Sequence, residues 1–169
     1  MPTMIRTAVP QDAPAIAAIY NHAVLTTTAT FDTEPKSVEN RLEWLAGRAR
    51  RHPVIVAEHD GFVVGWGALS PWSDRPSYAA TVEISVYVDP DHRREGLGTA
   101  LSRELLRMAP VIGIHTVLSR ISSENAASLA MAERLGFTTV GTMHEVGRKF
   151  DRWLDVVMLE RIVAARPHV

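Results

Sequence analysis

The stretch that most narrows the folds open to this chain is Thr81-Val82-Glu83-Ile84-Ser85-Val86-Tyr87-Val88. It is followed by Asp89-Pro90-Asp91-His92 and then by Arg93-Arg94-Glu95-Gly96-Leu97-Gly98-Thr99. Side chains alternate across a strand, so Val82, Ile84, Val86 and Val88 share one face, and Thr81, Glu83, Ser85 and Tyr87 the other. A polar turn then leads to glycines at the mouth of a helix. Glycines there let backbone approach a ligand closely, and the free N–H groups with the helix dipole suit an anion. Arg93 and Arg94 add fixed positive charge beside that spot, which fits a pyrophosphate. The same spacing also suits an ordinary solvated strand-to-helix turn.

The rest of the chain alternates strand-like and helix-like segments with no linker, repeat or biased tract. Met4 to Thr7 reads as a strand, and Asp12 caps a helix with Ile16, Ile19, Tyr20 and Ala23 at helical spacing. Leu25 to Pro35 is a Thr-rich loop, and Ser37 opens a second helix with Leu42, Leu45 and Ala49 on one side. Pro53 to Ala57 is a buried strand, joined through an Asp60-Gly61 hairpin signal to a partner from Phe62 to Leu69. After the central strand come a helix from Leu97 to Met108, a strand from Thr116 to Ile121 and a short helix from Asn125 to Leu135. Gly136 ends that helix, and strands from Val140 to Gly147 and Leu154 to Glu160 close the chain. The expectation is an α/β fold of about seven strands and four helices on one mixed sheet. The early hairpin argues against a purely parallel, doubly wound arrangement.

The 169 residues make one domain, 1–169, and an apolar share of 46% with 22% charged residues is ordinary for a globular chain. The absence of cysteine removes disulfides, thiolate zinc sites, iron–sulfur clusters and a cysteine nucleophile. A formal charge of −1 argues against electrostatic nucleic-acid binding. No apolar run approaches membrane-spanning length and the N-terminus lacks a secretory pattern, so a cytoplasmic protein is expected. The seven histidines show no metal-ligand spacing, so no metal is expected. Arg48, Arg50 and Arg51 read as cations at a helix end, and Trp44 as core or interface. Two better-known phosphate loops fail. Gly96-Leu97-Gly98 lacks the third small residue and the later acid of a dinucleotide fingerprint, and no Gly-Lys followed by Ser or Thr exists.

The segment instead resembles the acyl-CoA motif of the GCN5-related N-acetyltransferases (GNAT), Arg/Gln-x-x-Gly-x-Gly/Ala, met by Arg93, Gly96 and Gly98. A second marker of that superfamily sits in order, with Glu124-Asn125-Ala126-Ala127-Ser128 ahead of Glu133-Arg134-Leu135-Gly136-Phe137. A closer likeness covers almost the whole chain. Ile19-Tyr20-Asn21-His22, Thr30-Phe31, Glu34-Pro35, Pro71-Trp72, Arg75, Tyr78, Thr81, Glu83 and Ser85 to Val88 resemble the phosphinothricin and methionine sulfoximine acetyltransferases. So do Gly147, Lys149-Phe150 and Trp153-Leu154-Asp155. The resemblance implies the GNAT acyl-CoA fold, acetyl-CoA as co-substrate, a small amino-acid-like amine as acceptor and a homodimer.

It also implies roles by position. Glu83 matches the general base. Cofactor contacts fall on Val86, Tyr87, Val88, Arg93, Arg94, Glu95, Gly96, Leu97, Gly98, Thr99, Asn125 and Ser128, with a backbone N–H of the Val86-Tyr87-Val88 stretch facing the thioester oxygen. Asn125 has a second reading as the cap of its helix. Acceptor contacts fall on Phe31, Trp72, Arg75, Tyr78, Glu83 and Ser85, with Arg75 as the cation for an acceptor carboxylate. Ala132 departs from the superfamily, many of whose members carry a tyrosine there as general acid. Tyr87 and Tyr78 are the stand-ins, each with a packing or substrate-contact reading as well. Phe150 is closer to the methionine sulfoximine and sulfone type than to the phosphinothricin type. Two rival functions stay open: acetylation of a peptide N-terminus or aminoglycoside-like amine, and acyl-CoA sensing without catalysis.

Overall fold

The computed structural model describes residues 2–164. In chain order its main elements are β1 (Met4–Thr7), α1 (Ala13–Thr26), α2 (Val38–Ala46), β2 (Val54–His59), β3 (Phe62–Pro71) and β4 (Thr81–Val88). Then come α3 (Leu97–Val111), β5 (Thr116–Ser122), α4 (Ala126–Arg134), β6 (Thr138–Lys149) and β7 (Arg152–Ile162). The seven strands form one sheet in the order β1-β2-β3-β4-β5-β7-β6. Only β4 and β5 run parallel; the other neighbours are antiparallel. The expected mixed α/β architecture is therefore the one observed.

The alternation of β4 divides the core in two. Val82 is fully buried, and Ile84, Val86 and Val88 pack with Leu97, Leu101 and Leu105 of α3 on one face. Tyr87 turns to the other face, where Ile16, Ile19, Tyr20 and Val24 of α1 meet Trp66 of β3. The rings of Tyr20 and Tyr87 meet edge-on at 5.2 Å, and Trp66 lies 5.1 Å from Tyr87, spacings typical of favourable aromatic pairs. The Asp60-Gly61 turn has φ of +49° and +80°, as a tight two-residue hairpin requires.

Three details differ from the sequence expectation. The second helix ends at Ala46, short of Ala49, and Leu42 is exposed. Its inward face is Arg41, Trp44 and Leu45 instead: the Arg41 guanidinium lies 4.6 Å from the Trp44 ring, so a cation–aromatic stack fills space expected for leucine. The Ser37 cap does form, its hydroxyl accepting from the Asn40 N–H at 3.0 Å. Arg48 is no simple dipole partner either, because its guanidinium donates to the carbonyls of His52 and Leu69 and stacks 4.7 Å from Trp44. The last two strands extend beyond their expected ends and meet at Phe150-Asp151, both with positive φ.

Asp12 is buried, and its carboxylate serves the fold differently from a helix cap. Both oxygens accept from the Arg6 guanidinium, at 2.8 and 2.9 Å, and Oδ2 also accepts from the Val9 N–H. Burial acts to raise its pKa, but the bonds to Arg6 and Val9 outweigh it and hold the carboxyl below the usual value. Asp12→Ala should cost roughly 1–3 kcal/mol at pH 7, read as a fall in Tm of roughly 2–4 °C per kcal/mol in a chain of this size. A depressed folded pKa contributes stability that is present above the unfolded value and lost on acidification. The gap between wild type and variant should therefore be full at pH 7 and shrink below about pH 4.

Candidate active site

The site begins where two strands part. β4 pairs with β5 only through Thr81–Thr116, Val82–Val117 and Glu83–Leu118. Beyond Glu83, β4 stays with β3 as far as Val88, and β5 stays with β7 as far as Ser122. The flanking hydrogen bonds fix which backbone groups face the gap. The Thr81 carbonyl and the Asp89 N–H both bond on the β3 side, while the Ala80 carbonyl bonds toward β5. Strand alternation then turns the Tyr87 N–H to β3 and those of Val86 and Val88 into the gap.

Three connected spaces surround the fork. A groove of about 880 Å³ runs between the end of α1, the β4–α3 turn and α4. A slot of about 110 Å³ lies between the separated strands. A pocket of about 540 Å³ opens on the α1 side of the sheet, walled by the loop after α1 and by β6. Ala29 and Tyr87 line all three, so the spaces adjoin one another at these two residues and together make up a passage.

The groove carries uncommitted positive charge. Gly96 caps α3 at φ +78°, a left-handed turn that leaves the N–H groups of Leu97, Gly98 and Thr99 without partners inside the helix. Arg93 and Arg94 line the same wall and form no ion pair among the described residues. Asn125, which lines the groove, caps α4 through its amide oxygen, accepting from the Ser128 N–H at 3.2 Å. Glu124 ties the groove's edge together: it accepts from Thr28 at 2.8 Å and from Arg152 at 2.8 and 3.1 Å. Arg152 and then Thr28 push its carboxyl down to about 2. In the slot, the buried Ser122 hydroxyl has no partner.

The pocket holds one ion pair at the fork itself. Glu83 is the last β4 residue paired with β5, and both of its carboxylate oxygens accept from the Arg120 guanidinium, Nη2 to Oε1 at 2.8 Å and Nε to Oε2. Arg120 in turn stacks 5.3 Å from the Trp72 ring. Ser85, Tyr87, Phe31 and Asp32 complete the near wall. Asp32 accepts from the Tyr20 hydroxyl, which also bonds Thr30 at 3.0 Å; burial first, and then Asp32, push that phenol up to about 12. Lys149, almost wholly buried, donates to the Thr30 carbonyl at 2.7 Å and so pins this loop to the end of β6. Burial lowers its pKa. Tyr87 is pushed upward too, by burial and by Tyr20, so its hydroxyl keeps its proton.

Eleven of the twelve expected cofactor residues line the groove; Glu95 does not, and faces His92 at 3.4 Å instead. Phe31, Glu83 and Ser85 gather in the pocket. Arg75 and Tyr78 line a separate depression with Arg50, Arg51 and His52, next to the Pro76–Tyr78 turn, and are not among the residues of the Glu83 pocket. Trp72 reaches the pocket only through Arg120. Arg120 carries no signal in the sequence, since a lone arginine in a strand shows no pattern until β5 is known to lie beside β4. Phe31 depends on Gly147, where a Cβ would fall 2.2 Å from the phenyl ring.

The residues from 16 to 137 match the model of the acetyltransferase (GNAT) family. Among curated proteins, the L-amino acid N-acyltransferase MnaT of Escherichia coli is 41% identical over 157 residues, covering 92% of this chain and 91% of its own. The L-methionine sulfoximine/L-methionine sulfone acetyltransferase of Pseudomonas paraeruginosa is 41% identical over 162 residues, covering 95% and 94%. Among solved structures, yncA of Salmonella typhimurium, determined with its cofactor acetyl-CoA, superposes with a TM-score of 0.95 at 38% identity, over 100% of this chain and 98% of that one.

Gly147→Ala should force Phe31 out of its place in the pocket wall, at a cost of roughly 1–3 kcal/mol. Because the clash is with one side chain, Phe31→Ala in the same molecule should return most of that loss. A thermodynamic cycle on the two variants reads the coupling; additive effects would show that Gly147 and Phe31 do not meet.

Proposed function

Because the chain belongs to the acetyltransferase (GNAT) family, we propose that it moves the acetyl group of acetyl-CoA to the amine of a small amino-acid analogue. Methionine sulfone and methionine sulfoximine are the proposed acceptor type, with phosphinothricin as the neighbouring chemistry. The observation that carries this reading is the passage through the fork, with a cation-lined groove at one end, Glu83 at the other and free strand N–H groups between.

The groove suits the co-substrate. Partnerless N–H groups at the start of α3, with Arg93 and Arg94 beside them, match a pyrophosphate, and the Asn125 amide and the orphaned Ser122 hydroxyl offer polar contacts deeper in. Acetyl-CoA supplies a thioester carbonyl as the electrophile. The acceptor amine attacks without its extra proton, which for an α-amino group near pKa 8 costs about 1 to 1.5 kcal/mol at neutral pH. Glu83 takes that proton, directly or through one water. The Val86 and Val88 N–H groups are the donors for negative charge developing on the acyl oxygen, a task typically worth about 3–4 kcal/mol per donor. The buried Ala132 offers no proton to the departing sulfur. A thiol of ordinary pKa, about 8.5, is a fair leaving group without one. Tyr87 lines the slot with a protonated hydroxyl and is the nearest stand-in, whereas Tyr78 lies in another depression.

The proposal includes a cytoplasmic homodimer. Val140, Val146 and Trp153 on the outermost strand pair are 53–59% exposed, an apolar edge for a second copy. The expected mass in solution is twice 18.6 kDa; light scattering that returns the single-chain mass at micromolar concentration removes this part.

The test is release of the CoA thiol across methionine sulfone, methionine sulfoximine, phosphinothricin, ordinary amino acids, a peptide and an aminoglycoside. Saturable turnover confined to the amino-acid analogues is the expected outcome, and turnover on the peptide or aminoglycoside alone would replace it. Glu83→Gln should lower kcat by about 10²–10⁴-fold with acetyl-CoA affinity unchanged. Full turnover in that variant would take Glu83 out of the reaction.

A further inference from the structure

Glu83 is assigned a task that its surroundings obstruct. A base needs an oxygen free to receive a proton, yet both Glu83 oxygens accept from one guanidinium. That fork-on-fork geometry is the one by which arginine recognises a carboxylate of any origin. The two partners differ in access: the Arg120 side chain is 51% exposed and that of Glu83 only 19%, so a ligand in the pocket meets the guanidinium first. The Trp72 ring lies 5.3 Å from the guanidinium and gives it a contact besides Glu83.

Arg120 is also the pocket's one cation among the described residues. Arg75 opens on another depression, and Lys149 is buried with its ammonium on the Thr30 carbonyl. The remaining charges facing the pocket are the carboxylates of Glu83 and Asp32. Asp32 is already held by the Tyr20 hydroxyl and by Lys36 at 3.8 Å, so Glu83 and Arg120 are the one acid and one cation left to face the two charges of a zwitterion.

Building on the acetyl-transfer reading, we propose that Arg120 anchors the carboxylate of an α-amino acid acceptor, and that Glu83 holds the anchor only until that carboxylate replaces it. The exchange couples selection to activation. Amine and carboxylate of an α-amino acid hang on one carbon, so a molecule that gives its carboxylate to Arg120 brings its amine beside the carboxylate it has displaced. Glu83 becomes free as a base only when the right class of acceptor is present. A peptide N-terminus or an aminoglycoside has no α-carboxylate to make the exchange. Arg120 is thus a binding and positioning residue, and Glu83 its place-holder.

The test is calorimetric binding of L-methionine sulfone and its carboxamide to the chain saturated with CoA, which has no acetyl group to give. Wild type should prefer the acid by about 10- to 100-fold, the span expected for a charged two-point contact. Arg120→Ala should bind both equally, and Arg120→Lys should restore part of the preference. Glu83→Gln should bind the acid several-fold more tightly than wild type and the amide no differently, because the competitor for Arg120 has lost its charge. This opposite movement separates exchange from a static ion pair, in which loss of either partner would weaken binding. A preference for the acid that survives Arg120→Ala, a Glu83→Gln variant that weakens acid binding, or no binding of either probe would each overturn the proposal. If Arg120→Ala fails to melt cooperatively, Arg120→Lys and Glu83→Gln decide it. Turnover is read separately: acid binding through Arg120 with no CoA release from acetyl-CoA would sink the transfer reading and leave the anchor standing.

Discussion

The parting of β4 from β5 after Glu83 is the constraint on which the site depends. A parallel pair that continued to Val88 would satisfy the Val86 and Val88 N–H groups and close the slot. Instead each strand keeps its outer neighbour: Ile84 to Val88 stay with β3, and Ser119 to Ser122 stay with β7. The sheet therefore remains one cooperative body while opening in the middle. Backbone groups left in the opening lose strand partners worth of order 1 kcal/mol each. The structure meets that cost with contacts on both flanks, α3 leaning on Val86 and Val88 and the aromatic group of Tyr20, Trp66 and Tyr87 filling the opposite face.

Charge is distributed along the passage in a matching order. At the groove, Arg93 and Arg94 form no ion pair among the described residues and lie beside the bare start of α3, while Arg152 at the edge is paired with Glu124. At the pocket the charges are paired, Glu83 with Arg120 and the Tyr20 hydroxyl with Asp32. An anion that meets Arg93 and Arg94 breaks no ion pair of theirs among the described residues. A ligand entering the pocket must compete with an existing ion pair, and only one that replaces what it removes can do so without leaving a half-buried charge unpartnered.

Much of this was legible from residues alone where the signal is local. The alternation of Val82 to Val88 gave the two faces of β4, the Asp60-Gly61 turn gave the hairpin, and Asn125 capped its helix as its position suggested. What residues alone leave hidden is partners distant in sequence. Arg75 stands near Glu83 in the chain but lines another depression, while Arg120, 37 residues from Glu83, arrives through strand pairing. Gly147 could be matched by resemblance, but nothing in its own surroundings revealed that Phe31 needs the space. Leu42 failed for a related reason: α2 closes on Trp66 with a stacked Trp44 and Arg41, an inward face that hydrophobic spacing does not encode.

The loop after α1 shows how such distant contacts set the site's shape. Residues 27–32 form no helix or strand, yet Ala29 touches all three spaces and Phe31 walls the pocket. A segment without its own ladder of hydrogen bonds would be mobile unless held from outside. Three anchors hold it: Thr28 on Glu124, Thr30 on both Tyr20 and the Lys149 ammonium, and Asp32 on the Tyr20 hydroxyl. These reach the start of α4, the interior of α1 and the end of β6, so the loop reports on the groove, the core and the pocket together. The Lys149 ammonium is a buried cation that donates to a neutral carbonyl and lies 5.2 Å from the Phe150 ring, and burial lowers its pKa against the opposing charge of Asp32. Its position at the centre of the loop, between the residues that touch the groove and those that wall the pocket, is what lets one short irregular segment keep both ends of the passage in register.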